Sequence, residues 1–357
     1  MTQLATGPAT GSRPGAARPG SPPGRRGGFG AWAALLTVWV VWGSTYLAIR
    51  VADRTVPPFE MAAARYLTAG AVLCPLAWLG NRHRRQAGSP LLAQWAGMAV
   101  VGTMLLAFGN GGVSYAEQAL PSGLAALLVA SVPLWMALAD RAINGRRIRP
   151  GGWLALLIGL GGVAVLARPT AHGSAVPVLM VLGASMSWGI GSVLAGRLPG
   201  PASPLLGSAM QMLAGGGAML AGIAAATGEL TRATPGHVST QSLAALAYLI
   251  GPGSLLALTC YMIALRRLPP TAVSTYAYVN PVVAVSLGTL ILGERLSLTT
   301  LLGGAIIVAS VALLLTQQAR HGQERHQNDR KNLARRSPCK RCRRLRQLHP
   351  GNRHRKL

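Results

Sequence analysis

The chain consists of two halves in which the same landmarks recur in the same order. Trp42 recurs as Trp188 after 146 positions, and Pro133 recurs as Pro281 after 148. Each half holds five long apolar stretches, and an α-helix needs roughly 17 to 25 residues to cross a bilayer. Because five is odd, the second half must cross in the opposite sense to the first. This pattern predicts an all-α polytopic membrane protein of ten transmembrane helices, arranged as two inverted five-helix repeats.

The composition supports a membrane location. Half of the residues are hydrophobic and only 12% are charged. A soluble protein of this length needs more charge to cover its surface. Inverted repeats that enclose a shared central cavity are typical of secondary transporters, so a small-molecule substrate is the expected partner. A monomer and a homodimer are both compatible with the pattern.

The two repeats are predicted at residues 31–168 and 176–316, between a leader (1–30) and a tail (317–357). The leader is rich in Gly, Pro and Arg and lacks periodicity, so we expect it to be disordered. The tail holds fourteen Lys and Arg against two acidic residues from Arg320 onward. Such a disordered basic segment is expected to attract anionic lipid headgroups. Nucleic-acid binding is not expected, because the tail lacks aromatic residues that stack on bases.

The loops predict the orientation in the inner membrane. With the N-terminus inside, the short inner loops hold ten Arg and the outer loops or span ends hold five. The excess of positive charge inside places both termini in the cytoplasm. The same asymmetry explains why Arg146 in the first repeat aligns with Glu294 in the second.

An ionisable side chain inside the hydrocarbon is costly and therefore points to function. Arg65 lies in the second span, and its counterpart in the second repeat is Gln211. Both are predicted to contact substrate, with Arg65 meeting an anionic group. The alternatives for Arg65 are a side chain that extends to the interface or a structural ion pair.

The third span carries a polar stripe. Asn110 and Glu117 are seven residues apart, two helical turns, and so share one helix face. We predict Asn110 as a substrate contact and Glu117 as the proton-coupling residue, which exchanges protons or pairs with Arg65. A solvated carboxylate at a helix end is the alternative.

The remaining candidates follow the repeated motifs. Trp42 and Trp188 precede glycines that allow close helix approach, and their rings can pack on a substrate; an interfacial aromatic belt is the alternative. Matched prolines in the fourth and ninth spans predict helix breaks next to a binding site, although a purely structural kink is also possible. The further substrate contacts predicted from these segments are Ser44, Thr45, Tyr276 and Asn280.

The sequence lacks the residues that several kinds of catalytic site require. No His falls in a predicted span, the three Asp form no pair, and there is no phosphate-binding Gly-Lys-Ser/Thr loop. Cys339 and Cys342 with His349 and His354 mimic a zinc arrangement, but the spacing is short and no core surrounds them. We therefore expect neither an enzyme nor a metal or other cofactor.

Taken together, these motifs resemble the EamA family of the drug/metabolite transporter superfamily over about residues 31–316. The resemblance rests on Trp42-Gly43-Ser44, Arg65, the Leu120–Ala126 segment, Ser187-Trp188-Gly189, Asn280-Pro281 and Gly293–Leu296. It implies ten helices and the export of small metabolites, amino acids or drugs, driven by proton exchange. The alternative function is a membrane scaffold or sensor whose basic tail recruits partners, and deletion of residues 320–357 would separate the two.

Overall fold

The computed structural model describes the two repeat regions and leaves the ends of the chain outside. The described residues are 29–80, 92–145, 147–148, 150–166, 175–201, 203–229, 238–268, 273, 275–314 and 316–317. Nearly all of the predicted leader and of the predicted basic tail lies outside them, including Cys339, Cys342, His349 and His354, as does Arg146.

Within the described residues the chain forms ten helices joined by short connections. They are α1 (Phe29–Ala52), α2 (Pro58–Gly80), α3 (Leu92–Glu117), α4 (Ser122–Asn144), α5 (Pro150–Leu166), α6 (Val176–Leu194), α7 (Pro204–Ala226), α8 (Thr240–Ile250, Gly251–Leu256 and Ala257–Arg267), α9 (Tyr276–Leu292) and α10 (Leu298–Leu314). Seven of them are long and apolar enough to cross a membrane, and α5, α9 and α10 contain shorter apolar helices. The prediction of an all-helical polytopic membrane protein is confirmed.

The third helix of each half contains a π-helical segment in the same place. The segments cover Thr103–Gly111 in α3 and Gly251–Leu256 in α8, so they begin 148 positions apart. Pro252 lacks a backbone N–H and cannot continue the α-helical ladder, which favours the wider turn in α8. A third π-helical segment covers Gln211–Ala218 in α7. Such segments are frequent at functional sites.

The two halves are intertwined. α1 packs on α8 and α9 of the second half, α6 packs on α3 and α4 of the first half, and α2 packs on α7. The first helix of each half thus lies against the third and fourth helices of the other. The same contacts occur twice, as expected for a repeated fold.

Glycines allow these exchanged helices to approach closely. A Cβ atom at Gly43 of α1 would lie 2.6 Å from Cβ of Val283 in α9. A Cβ atom at Gly189 of α6 would lie 2.8 Å from Cβ of Trp135 in α4. Both pairs correspond, since Gly43 and Gly189 are 146 positions apart and Trp135 and Val283 are 148 apart. Any side chain larger than hydrogen would separate the helices.

Two carboxylates of the second half cap helices of the first half at one end of the bundle. The Glu294 carboxylate accepts hydrogen bonds from the Ser122 backbone N–H (2.9 Å), the Ser122 hydroxyl (2.9 Å) and the Gly123 backbone N–H (3.1 Å), at the start of α4. Glu229 accepts from the backbone N–H groups of Phe59 (3.0 Å) and Glu60 (3.2 Å), at the start of α2. Charge asymmetry of the loops therefore does not account for Glu294 by itself, because its carboxylate satisfies free helix N–H groups. We call this end, where α3 finishes at Glu117, the Glu117 end.

Candidate functional site: a polar face around Arg65

Arg65 of α2 lies inside the bundle, with only 7% of its surface exposed. Its Nε donates a hydrogen bond of 3.0 Å to the hydroxyl of Ser254, in the π-helical segment of α8. Ser254 in turn donates to the Leu249 carbonyl oxygen at 2.9 Å. No hydrogen bond engages the two terminal nitrogens of Arg65 within the described residues. The guanidinium is thus held by a hydroxyl and retains donors for an anionic group.

Hydroxyl groups of α1 lie beside this arginine. A Cβ atom at Gly253 would lie 3.3 Å from Cγ2 of Thr45 and 3.7 Å from a terminal nitrogen of Arg65, so α1, α2 and α8 meet at this glycine. The Ser44 hydroxyl and the Tyr248 hydroxyl are 2.5 Å apart, and the Thr45 hydroxyl donates to the Trp42 carbonyl oxygen at 2.6 Å. Thr45 and Ser254 therefore lie beside Arg65, and the hydrogen-bonded Ser44 and Tyr248 join the same two helices, α1 and α8. We call the following set the Arg65 face: Ser44, Thr45, Arg65, Tyr248 and Ser254.

An aromatic cluster joins α1 and α8 to α9. The Trp42 ring lies 5.2 Å from the Tyr261 ring and 5.4 Å from the Tyr276 ring, and the two tyrosine rings are 6.0 Å apart. The Trp42–Tyr276 and Tyr261–Tyr276 pairs meet edge to face, a favourable arrangement for aromatic rings. Trp42 therefore packs with tyrosines of α8 and α9 inside the bundle, unlike a residue of an interfacial belt.

α9 is continuous from Tyr276 to Leu292, so the helix break predicted at Pro281 is wrong, and Asn280 lies just before this proline next to the aromatic cluster. Asn280 is buried, and its side-chain nitrogen, in the orientation that satisfies its neighbours, donates to the carbonyl oxygens of Trp39 and Tyr276 at 3.2 Å each. Pro281 leaves the ladder of α9 without one N–H, and the Asn280 amide supplies a donor to the preceding turn. The structure therefore gives Asn280 a structural role in joining α9 to α1.

Three predicted contacts belong to other parts of the bundle. Trp188 of α6 lies against Gly109 of α3, with its Cε3 atom 2.9 Å from the position of a Cβ at Gly109, and Asn110 follows in the same π-helical segment, partly exposed. Gln211 of α7 turns toward α3, where its side-chain nitrogen contacts the sulfur of Met98 at 3.4 Å. Gln211 thus does not repeat the environment of its counterpart Arg65.

A surface depression lies elsewhere, at the end of the bundle where α4 finishes and α5 begins. Its lining includes Leu138, Arg141, Arg147 and Trp153, and the Arg141 guanidinium lies 5.6 Å from the centre of the Trp153 ring. It contains none of the residues predicted to bind substrate, so it is separate from the Arg65 face.

Glu117 is fully buried at the end of α3. Neither of its carboxylate oxygens has a hydrogen-bond partner within the described part of the chain. Arg50 of α1 donates a hydrogen bond to the Glu117 backbone carbonyl oxygen. The neighbouring cation of Glu117 is therefore Arg50 and not Arg65, which was the pairing considered from the sequence. Burying an ionised carboxylate without donors is costly, so such a group is a candidate functional residue.

Sequence reasoning missed several residues of this region. Ser254 is hydrogen-bonded to Arg65, and Tyr248 is hydrogen-bonded to Ser44. Tyr261 completes the aromatic cluster. The Gly-Pro-Gly sequence before Ser254 was a usable signal, because it interrupts an otherwise regular apolar helix. Arg50 was one of the five Arg residues assigned to the outer loops or span ends, and Asp53 was assigned no role. The contact of Arg50 with Glu117 and the burial of the Asp53 carboxylate depend on how the helices pack, which periodicity does not reveal.

Comparison with known proteins agrees with this architecture. The model of the EamA-like transporter family matches residues 29–168 and 175–316. The chain is 38% identical over 286 residues to the uncharacterized inner membrane transporter YedA of Escherichia coli (strain K12), covering 79% of this chain and 90% of that protein. It is 26% identical over 283 residues to protein PecM of Dickeya dadantii (77% and 88% covered). A crystal structure at 20% identity superposes with a TM-score of 0.54, covering 81% of this chain and 98% of the other, and shows the same fold.

These matches extend over both halves of the chain, and the family they define is one of transporters rather than enzymes. The ten described helices and the repeated glycine contacts agree with a family match in two segments, residues 29–168 and 175–316. The protein is a multi-pass membrane protein that belongs to the EamA-like transporter family.

Proposed function

We propose that this protein is a secondary transporter of the inner membrane that exports a small metabolite, amino acid or drug by alternating access and proton exchange. The observation that carries the proposal is the buried guanidinium of Arg65, which is held through Nε by Ser254 while its terminal nitrogens have no hydrogen-bond partner within the described residues. A buried cation held in this way suits a solute with an anionic group. The inner membrane location rests on the name of the E. coli relative.

The surroundings of Arg65 support a mixed polar and apolar substrate. The hydroxyls of the Arg65 face offer donors and acceptors for polar groups, and the cluster of Trp42, Tyr261 and Tyr276 offers an apolar surface on α1, α8 and α9. Binding sites for small molecules commonly combine a few placed polar groups with such aromatic walls.

The proposal includes a direction and a coupling ion. With both termini in the cytoplasm, the Glu117 end faces outward, and Glu117 takes up protons there in exchange for exported substrate. Its burial and its lack of hydrogen-bond donors support this role. Alternating access in such folds arises from movement of one repeat against the other.

A two-step experiment tests the proposal. Cells that overexpress the protein are screened for resistance to amino acids, nucleosides and antibiotics. The wild type is then compared with Arg65→Leu on a compound to which it gives resistance. We expect Arg65→Leu to abolish resistance at an unchanged membrane level, since the anion loses its cation. Arg54→Leu is the matched control, because Arg54 is exposed between α1 and α2. Full resistance with Arg65→Leu would reduce Arg65 to a structural role.

The coupling is measured in proteoliposomes with the compound identified by the screen. Addition of this compound should move protons in the opposite direction, as followed by a trapped pH-sensitive dye. Glu117→Gln should abolish the proton movement. Unchanged proton flux in that variant would remove Glu117 from the mechanism.

A further inference from the structure

The carboxylate oxygens of Asp53 are buried, and the transport mechanism proposed above does not involve them. Asp53 follows α1 directly, and neither of its carboxylate oxygens has a hydrogen-bond partner among the described residues. Burial raises the pKa of Asp53 from 3.8 to about 8; the nearby Glu229 carboxylate adds to this rise and the Arg50 guanidinium opposes it. An exposed loop aspartate would have neither property.

Asp53 and Glu117 are both close enough to Arg50 to be influenced by its charge. Arg50 interacts electrostatically with both carboxyl groups, which also interact with each other, and it donates a hydrogen bond to the Glu117 backbone. The charged and titratable groups that face this set are Glu229 beside Asp53, Glu294 and Tyr46 beside Glu117, and Glu60 beside Glu229. We call Arg50, Asp53 and Glu117 the Arg50 cluster.

The charges of the Arg50 cluster do not balance when both carboxyl groups are ionised. Glu229 and Glu294 are already engaged by the N-terminal N–H groups of α2 and α4, whose partial positive charge offsets theirs. Arg50 carries one positive charge and then faces two negative ones in a region with few hydrogen-bond donors. One proton on the pair removes the excess negative charge, and two interacting carboxyl groups titrate as a unit.

We propose that Asp53 and Glu117 form a proton-binding pair that takes up one proton from water while the Glu117 end is open and retains it when that end closes. Resting on the proposed transport function, this inference assigns Asp53 as a second proton-binding residue and Arg50 as the cation that positions the pair. Opening would part the caps that Glu229 and Glu294 form between the halves. Water would then exchange protons with both carboxyl groups, and closure would remove this water and restore the cost of ionising them.

The pair can be tested without knowing the transported solute. The purified protein in lipid nanodiscs is titrated from about pH 5 to about pH 9, while infrared difference spectroscopy follows the carbonyl stretching band of protonated carboxyl groups. The wild type should lose such a band near neutral to alkaline pH. Asp53→Asn and Glu117→Gln should each abolish or displace the same transition. Asp140→Asn is the control, because Asp140 lies at the far end of α4, outside the Arg50 cluster.

Arg50→Gln keeps the inference testable if one of the acidic variants does not fold. Loss of the cation should move the transition to higher pH by about one unit or more, since an opposite charge nearby favours ionisation. A transition that responds to Glu117→Gln alone, to Asp53→Asn alone, or to neither would overturn the pair, as would an unchanged transition in Arg50→Gln. Because no solute is added to the titration, full resistance with Arg65→Leu together with an intact titration would count against the proposed function and leave the pair standing.

Discussion

The close approach of α1 to α9 and of α6 to α4 yields a prediction with a defined magnitude. In Gly43→Ala the new Cβ would lie 2.6 Å from Cβ of Val283 and 3.1 Å from the Asn280 carbonyl oxygen. Carbon atoms in contact prefer roughly 3.5 to 4.0 Å, so α1 and α9 must separate by about 1 Å. Overpacking of this kind costs about 1 to 3 kcal/mol.

The second repeat provides an independent copy of the same test. In Gly189→Ala the new Cβ would lie 2.8 Å from Cβ of Trp135 and 2.9 Å from the backbone nitrogen of Met136, so a rotamer change cannot relieve the clash. Gly183 lies on the same helix, and a Cβ there would meet nothing within 4 Å. Gly183→Ala is therefore the matched control and should be neutral or slightly stabilising, because alanine favours the helix more than glycine does.

The assay is reversible unfolding in bicelles by steric trapping, which reports the free energy of unfolding. Gly43→Ala and Gly189→Ala should each lose about 1 to 3 kcal/mol relative to wild type, whereas Gly183→Ala should not. Wild-type stability in both Gly43→Ala and Gly189→Ala would refute the claim that the exchanged first helices are held by these glycines. A loss in one variant only would refute the equivalence of the two contacts.

Two further predictions concern the Glu117 end. Glu294→Ala removes the acceptor of the Ser122 and Gly123 N–H groups and should lower the free energy of unfolding by about 1 to 2 kcal/mol, the range of a lost N-cap. Arg295→Ala changes an exposed neighbour and should be neutral in the same assay. Equal stability of the two variants would contradict the capping role. The pKa of Asp53 is raised to about 8 in the folded protein, so the folded state retains a proton that the unfolded chain releases above about pH 4. The free energy of unfolding of the wild type should therefore fall as the pH rises from about 4 to about 8, and Asp53→Asn should show a shallower fall. Parallel curves for the two proteins would contradict the burial of Asp53.

Much of the fold could be predicted from the sequence because lipid imposes strong constraints on it. A span must be long and apolar, so the ten helices follow from hydropathy alone. The repeat also indicated that Gly43 and Gly189 occupy equivalent places. The exchange of α1 and α6 between the halves was not predictable, because hydropathy contains no information on which helices pack together.

The candidate site was only partly predictable for the same reason. Arg65 and Glu117 stand out as charged residues within or at the end of apolar spans, which a single sequence shows directly. Their neighbours do not stand out: Ser254 is 189 positions from Arg65, and Arg50 is 67 positions from Glu117. Gln211 shows the limit of the repeat, since it aligns with Arg65 but faces Met98.

The exchange of first helices also has a consequence for biosynthesis. When α1 and α2 leave the ribosome, the surfaces that α8 and α9 will cover have no partner until more than half of the chain has been translated. Neither half can complete its own interior, so a protein divided between the repeats should accumulate only when both fragments are made in the same cell. Synthesis of the final helices is then the step that commits the chain to its mature form and protects the earlier ones from degradation.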